Sequence, residues 1–286
     1  MKRIVLVSFA DRRYRNAMKR LDIASANFPF TERHFCDETN TFDKKYWRKL
    51  KPWLYRRGFG YWEWKGLVVK KYFDQLEEDD ILVWSDVGVY WNSNDNSLKR
   101  FDYYIDLLRK GDNLLAFQEP YIEQEWTKGD LLYYFGVYNN EEICKSNQLW
   151  SGVFFLKKTI DTTKLVNDWS LVNMRELELE TDKRSSMPNK DGFKEHRHDQ
   201  SSFSVLVKLI PHIELSWKET QVIDRSDIKS WDKLYEYPIQ ARRTKLEDRP
   251  LGEIIKNKFL RPWRFCLNVY FRKIKKYEFL SPGYPW

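Results

Sequence analysis

Short runs of nearly unbroken apolar residues punctuate the chain, chiefly Ile4-Val5-Leu6-Val7-Ser8, Asp80-Ile81-Leu82-Val83-Trp84-Ser85 and Leu149 to Leu156. Runs of this length, apolar on successive rather than alternate positions, suit strands covered on both faces, as in a parallel sheet flanked by helices. Arg33 to Cys36 and Asn113 to Phe117 are further strand candidates. Between them the apolar spacing turns helical. It does so over Arg12 to Ala24, with Ala17, Leu21 and Ile23 expected inward, and over Asp43 to Lys51, with Thr41 as cap and Pro52 as stop. Trp64 to Leu76, Leu98 to Arg109, Glu125 to Phe135, Thr162 to Leu179 and Asp199 to Leu209 read the same way. Strands alternating with helices predict an α/β fold with a mostly parallel central sheet. Glu180 to Glu195, polar and carrying Ser185, Ser186, Pro188, Asn189 and Gly192, is expected to be a long loop, a common form for a lid.

Charge divides the chain differently. The 286 residues hold 50 Lys+Arg and 42 Asp+Glu, a net charge of +8. Arg242 to Trp286 holds 12 basic and 4 acidic residues, so the rest is neutral. A nucleic-acid footprint would spread over the main surface, so no nucleic-acid partner is expected. The division predicts residues 1–241 as one domain and 242–286 as a basic helical appendage. Within that tail Pro250 and Pro262 each open a short helix, and Trp263, Cys266, Leu267, Tyr270 and Ile274 follow helical spacing among Arg264, Arg272, Lys273, Lys275 and Lys276. A basic amphipathic helix of this kind suits an anionic membrane surface; a helical pair packed on the domain would give the same pattern. Lys2-Arg3 before an apolar run resembles an export signal, but Asp11-Arg12-Arg13 cuts the run short. With no apolar stretch of spanning length, the expected location is cytoplasmic, peripheral on the inner face of a membrane. Cys36, Cys144 and Cys266 are too few and too scattered for a disulfide framework or a zinc cluster.

Four segments carry side chains suited to chemistry. Asp86 ends a buried strand, where ligands collect in open α/β sheets, and a carboxylate there can meet a metal on two phosphates or a ribose hydroxyl. The Asp79-Asp80 pair just before that strand reads as solvated turn. His196-Arg197-His198-Asp199-Gln200-Ser201 is the densest polar cluster and precedes a helix. Asp199 can serve there as a general base, a histidine can bind a metal or pyrophosphate, and the helix start favours anions. Gly58 to Lys65 combines glycines with Tyr61, Trp62 and Trp64, and Lys65 can reach a phosphate. Glu123 to Asp130 sets carboxylates beside Trp126. Each segment also has a purely structural use: a turn or cap aspartate, surface histidines, an aromatic knot, a charged helix start. Dinucleotide, Walker and nucleophile-elbow motifs are missing from the sequence.

In order along about residues 1–210, Ile4 to Asp11, Arg57-Gly58-Phe59-Gly60-Tyr61-Trp62-Glu63-Trp64-Lys65, Asp80 to Gly88, Glu125-Trp126-Thr127-Lys128-Gly129-Asp130-Leu131, Gln148-Leu149-Trp150-Ser151-Gly152 and His196 to Ser201 resemble a family of bacterial capsule and lipopolysaccharide glycosyltransferases with the GT-A fold. The resemblance implies a Rossmann-like nucleotide-diphospho-sugar transferase. It assigns donor and nucleotide contacts to Ser8, Phe9, Ala10, Asp11, Tyr61, Lys65, Ser85, Asp86, Gly88, Ser151, Gly152 and Arg197. It assigns acceptor contacts to Glu125, Trp126, Trp150 and His198, and catalysis or acceptor positioning to Asp199 and Gln200. Mn²⁺ or Mg²⁺ would sit on Asp86 with His196. The family's second metal carboxylate is replaced by Gly88, which leaves one carboxylate for the metal.

The expected activity is transfer of a hexose, galactose or galactofuranose first, from a UDP-sugar to a lipid-linked or growing glycan. The alternatives are a non-catalytic sugar-nucleotide or glycan-binding protein of a polysaccharide assembly and, more remotely, a nucleic-acid-modifying enzyme.

Overall fold

A computed structural model describes residues 2–43, 46–47, 58–111, 113–175, 177–223 and 228–242. The basic tail beyond Arg242, most of the helix expected over Asp43 to Lys51, and Arg57 lie outside these residues. The main sheet contains β1 (Ile4–Phe9), β2 (Glu32–Cys36), β3 (Ile81–Ser85), β5 (Leu114–Ile122), β6 (Asn147–Lys157) and β7 (Ile213–Leu215), in the order β2-β1-β3-β6-β5-β7. A two-stranded sheet pairs β4 (Tyr90–Trp91) with β8 (Ile239–Gln240). β1 runs parallel to β2 and β3, and β5 parallel to β7. β6 is antiparallel to both its neighbours. The architecture is thus α/β with a mostly parallel sheet flanked by helices, as the apolar runs predict.

Both faces of the sheet are buried, which explains why the strands are apolar at consecutive positions. Val5, Val7, Phe9, Leu82, Trp84, Phe154 and Leu156 join one core with α2 (Trp64–Phe73), α4 (Ile160–Arg175) and α5 (Asp199–Val207). Ile4, Leu6, Ile81, Val83, Val153 and Phe155 join the other with α1 (Arg15–Ser25) and α3 (Asp95–Arg109). Cys36 and Cys144 are buried free thiols. No helix among the described residues is long and apolar enough to cross a membrane.

Several expectations change. Ile23 is 75% exposed while Ala17 and Leu21 are buried. It lies two residues after Leu21, about 200° round the helix, so it cannot share that face. Asp80 is buried and takes the Arg3 guanidinium at 2.8 Å, so it ties β1 to the turn before β3 and is not a solvated turn residue. The helix expected over Glu125 to Phe135 is two short helices, Glu123–Trp126 and Gly129–Tyr134. Extended backbone at Thr127 and Lys128 divides them. The helix expected over Thr162 to Leu179 ends at Arg175, followed by a 3₁₀ turn, Leu177–Glu180.

Candidate active site

β3 delivers Asp86 to the carboxyl end of the sheet. The turn that follows closes with Val89 N–H on the Asp86 carbonyl at 3.1 Å, and Asp86 N–H binds the Gly152 carbonyl of β6 at 2.8 Å. Gly88 occupies this turn without a side chain to offer. Trp84 Nε1 donates to Asp86 Oδ1 at 2.9 Å and fixes the carboxylate. About a third of the Asp86 side chain remains exposed.

Lys65, in the first turn of α2, is wholly buried and points at this carboxylate. Its Nζ lies 3.1 Å from Asp86 Oδ1 and 3.5 Å from Oδ2. It also lies 2.6 Å from Asp199 Oδ2, at the start of α5. Ser151 Oγ donates to the same Asp199 oxygen at 2.9 Å. The Ser151 carbonyl and hydroxyl complete the ammonium's surroundings at 3.4 Å each, beyond ordinary hydrogen-bond length. Three sequence segments far apart in the chain therefore share one ammonium. Burial alone would push the Lys65 pKa down, but the charges of Asp199 and then Asp86 outweigh it and raise it. Burial pushes the Asp199 carboxyl up, and Asp86 adds to that shift while Lys65 and Ser151 oppose it. One ammonium for two carboxylates leaves a net negative group, which agrees with both directions.

Backbone strain frames this group. Gly58, Phe59, Gly60, Tyr61 and Trp62 all have positive φ, between 54° and 98°. Glycine carries such a conformation freely, whereas each non-glycine residue costs about 1–2 kcal/mol. The turn is held by hydrogen bonds to the Gly58 carbonyl from Trp62 N–H at 3.1 Å and Trp64 Nε1 at 3.0 Å. The Trp62 ring stacks on His198 at 5.5 Å and 17°. His198 itself has φ 53° and ψ −123°. Its Nδ1 bonds the Glu180 carbonyl at 2.7 Å, and Nε2 lies 3.6 Å from Asp182. The aromatic motif that carries Lys65 and the polar motif that carries Asp199 are thus keyed together through Trp62 and His198. Glu180 is buried, its carboxyl bonded by Ser202 and, at 2.5 Å, by Asn173. Burial pushes that carboxyl up to about 8; the hydrogen bonds pull it back, and the charge of Asp199 adds to the rise. Glu180 and Asp182 were not among the expected site residues. They open a polar segment that gives no cue to burial.

The Glu-Trp-Thr-Lys segment holds the long loop. Glu125 pairs with Lys194 at 2.7 Å, and Trp126 lies under the Arg197 guanidinium at 4.3 Å. Lys128 is buried and donates to the Glu178 and Thr181 carbonyls. Burial lowers its pKa to about 8 against the nearby carboxylates Asp130, Asp182, Glu180 and Glu178. Asp130 accepts backbone N–H bonds from Ser186 and Met187, and the Asn189 side chain accepts from Gly129 N–H at 2.8 Å. Residues 181–195 therefore form a loop, one residue shorter than the expected Glu180 to Glu195 and strapped down, with Glu180 closing the preceding 3₁₀ turn.

The remaining expected residues take varied positions. Ser8 Oγ donates to the Ser85 carbonyl at 2.6 Å, and Ser85 Oγ accepts from Trp91 Nε1 at 3.0 Å, so both are spent inside the fold. Phe9 packs on Trp64 at 4.1 Å, Ala10 N–H binds the Cys36 carbonyl, and Asp11 caps the following 3₁₀ turn. Tyr61 is buried 5.3 Å from the His198 ring. Gln200 donates to Gln148 at 2.7 Å. A Cβ at Gly152 would fall 2.3 Å from the Trp150 indole, so glycine is what lets that ring lie across the strand. His196 Nδ1 faces the Lys128 N–H at 3.4 Å, and its ring meets the edge of His198.

These side chains do not fit a resident divalent cation. Such an ion takes about six oxygen ligands at roughly 2.0–2.6 Å. Among the described residues no three His, Cys, Asp or Glu side chains form a group that could hold one. Both oxygens of Asp86 instead face the Lys65 ammonium.

No family model matches the chain, and no curated protein matches it. Solved structures with some likeness include a glycosyltransferase involved in glycosylation of the major capsid of PBCV-1, 14% identical, with a TM-score of 0.44 over 83% of this chain and 91% of that one. The glycosyltransferase GlyE of Streptococcus pneumoniae is 12% identical, with 0.42 over 100% and 67%. The galactosyltransferase LgtC bound to donor and acceptor sugar analogs is 15% identical, with 0.39 over 84% of each chain. At such scores the likeness gives no residue-by-residue correspondence.

Proposed function

We propose that the chain is a glycosyltransferase that moves a sugar from a nucleotide donor to a glycan acceptor. The observation that carries this reading is the convergence of Lys65, Asp86, Ser151 and Asp199 at the carboxyl end of β3. Each belongs to a segment that resembles the glycosyltransferase motifs, and together they have the chemistry that transfer needs. As the bond from the anomeric carbon to phosphate breaks, negative charge grows on the departing diphosphate, and a buried ammonium can stabilise it. The acceptor oxygen bonds to the anomeric carbon and gives up its proton. Asp199, with a pKa raised by burial, is suited to take that proton or to orient the hydroxyl. Asp86 holds the ammonium in place and faces the donor.

The finer reading follows the resemblance. The donor is a UDP-hexose, galactose or galactofuranose first, and the acceptor is a lipid-linked or growing glycan of bacterial surface polysaccharide. Residues 242–286 would hold the enzyme on the inner face of the membrane through anionic lipid. Incubating the protein with a panel of UDP- and GDP-sugars and glycan acceptors tests the reading. Transfer, lost in Asp86→Ala and Asp199→Asn variants that stay folded, supports it. Donor binding with no turnover under any acceptor would favour a non-catalytic sugar-nucleotide-binding protein instead.

A further inference from the structure

We infer that Lys65 takes the place of a divalent cation at this site, so that donor binding and transfer need no metal. The inference rests on the glycosyltransferase reading and names how that site handles the diphosphate.

A divalent cation at such a site has to reach open carboxylate oxygens and the donor phosphates together. Here the strand-end turn offers Asp86 alone, because Gly88 has no side chain. Both Asp86 oxygens lie within 3.5 Å of the Lys65 ammonium, and Oδ1 also accepts from Trp84 Nε1. On the far side, Asp199 Oδ2 is taken by the same ammonium and by Ser151. The position between the two carboxylates, where a bridging cation would sit, is filled by a covalently anchored one.

The ammonium can also reach a ligand. Its contacts to Ser151 are long, at 3.4 Å, and Asp86 is part-exposed, so a phosphate oxygen arriving past Asp86 can take the weakly used N–H. Asp199 and Asp86 hold Lys65 protonated despite complete burial, which keeps the charge present without an ion drawn from solution. Transfer then balances simply. The anomeric carbon–phosphate oxygen bond breaks and its electron pair stays on the nucleoside diphosphate beside Lys65. The acceptor oxygen forms the new bond and its proton passes to Asp199 or to water.

Calorimetric titration of UDP and of GDP into the full chain, in EDTA and then in excess Mn²⁺ or Mg²⁺, tests this. The expected result is an affinity for one of them that changes by less than about twofold between conditions, with turnover equally insensitive. Lys65→Met should weaken that affinity about tenfold or more, and Lys65→Arg should recover part of it. Binding or turnover that appears only with the cation overturns the inference and leaves the glycosyltransferase reading standing. Binding of neither nucleotide under any condition overturns both. Because wild type alone decides the metal question, misfolding of a Lys65 variant would not hide the answer.

Discussion

Lys65 Nζ and Asp199 Oδ2 are 2.6 Å apart, both buried, and each stands in the first turn of its helix. The pair is not isolated, since Ser151 donates to the same oxygen and Asp86 shares the ammonium. Removing one member of a buried pair strands the other and costs about 3–5 kcal/mol. Asp199→Asn keeps the size and can still accept from Ser151, so a folded variant with lowered thermal stability is expected. Its turnover should fall by about 10²-fold or more, the scale of a lost general base. Asp86→Ala, at a part-exposed position, should unfold nearer to wild type and still lose transfer. Calorimetric unfolding alongside a turnover assay separates the two effects.

Glu180 makes stability depend on pH. Its carboxyl titrates at about 8 in the fold and at its ordinary value of 4.5 in the unfolded chain. The native state therefore binds the extra proton between those values. Its contribution is complete below about pH 4.5 and is lost as pH rises through about 8, at up to ~1.4 kcal/mol per unit. Replacing it by Gln removes the titrating proton and keeps the hydrogen bonds to Ser202 and Asn173. Glu180→Gln should gain on wild type steadily across this window in chemical denaturation. A constant difference at all pH values would show that Glu180 is ionised in the fold.

His198 can be separated into backbone and ring. Its φ of 53° and ψ of −123° suit glycine. His198→Gly relieves the backbone and His198→Ala does not, so the glycine variant should be the more stable by about 1 kcal/mol. Both lose the stack on Trp62 and the bond to the Glu180 carbonyl that aim Asp199. Turnover should drop in both while donor KM stays close to wild type. A raised acceptor KM with normal kcat would instead mark His198 as an acceptor contact.

At Gly152 the prediction is steric. A Cβ 2.3 Å from the Trp150 indole must push the ring off the strand. Gly152→Ala should cost about 1–3 kcal/mol, the range for overpacking, and change Trp fluorescence. Trp150→Leu should restore much of that stability in the double variant.

The strap over the Glu-Trp-Thr-Lys segment predicts protease behaviour. Asp130 accepts two backbone N–H groups of the loop, from Ser186 and Met187. Asp130→Ala leaves them without these bonds. Limited proteolysis should then cut between residues 181 and 195 several-fold faster, with little change in global unfolding.

Much of the fold was legible because its strands are buried on both faces. The runs at Ile4, Asp80 and Leu149 announce themselves for that reason; β1 and β6 extend one or two residues beyond theirs, and β3 begins one residue later than expected. β4, β7 and β8 are two or three residues long and carry no periodicity to read. Asp86 and Asp199 were legible as a strand-end and a helix-start carboxylate. What sequence could not supply is that Lys65 lies between them, because spacing along a chain says nothing of distance across a sheet. Lys128 shows the converse. It lies in a charged segment with no apolar cue to burial, yet it is buried under loop carbonyls.

The central claim is that the Lys65, Asp86 and Asp199 site breaks the sugar–phosphate bond of a nucleotide sugar. Its most direct test is release of UDP or GDP from a panel of sugar nucleotides in the presence of glycan acceptors, measured for wild type and for folded Asp199→Asn. The account predicts release from at least one donor by wild type, reduced about 10²-fold or more in the variant. No release from any donor by wild type, or equal release by both proteins, would contradict it.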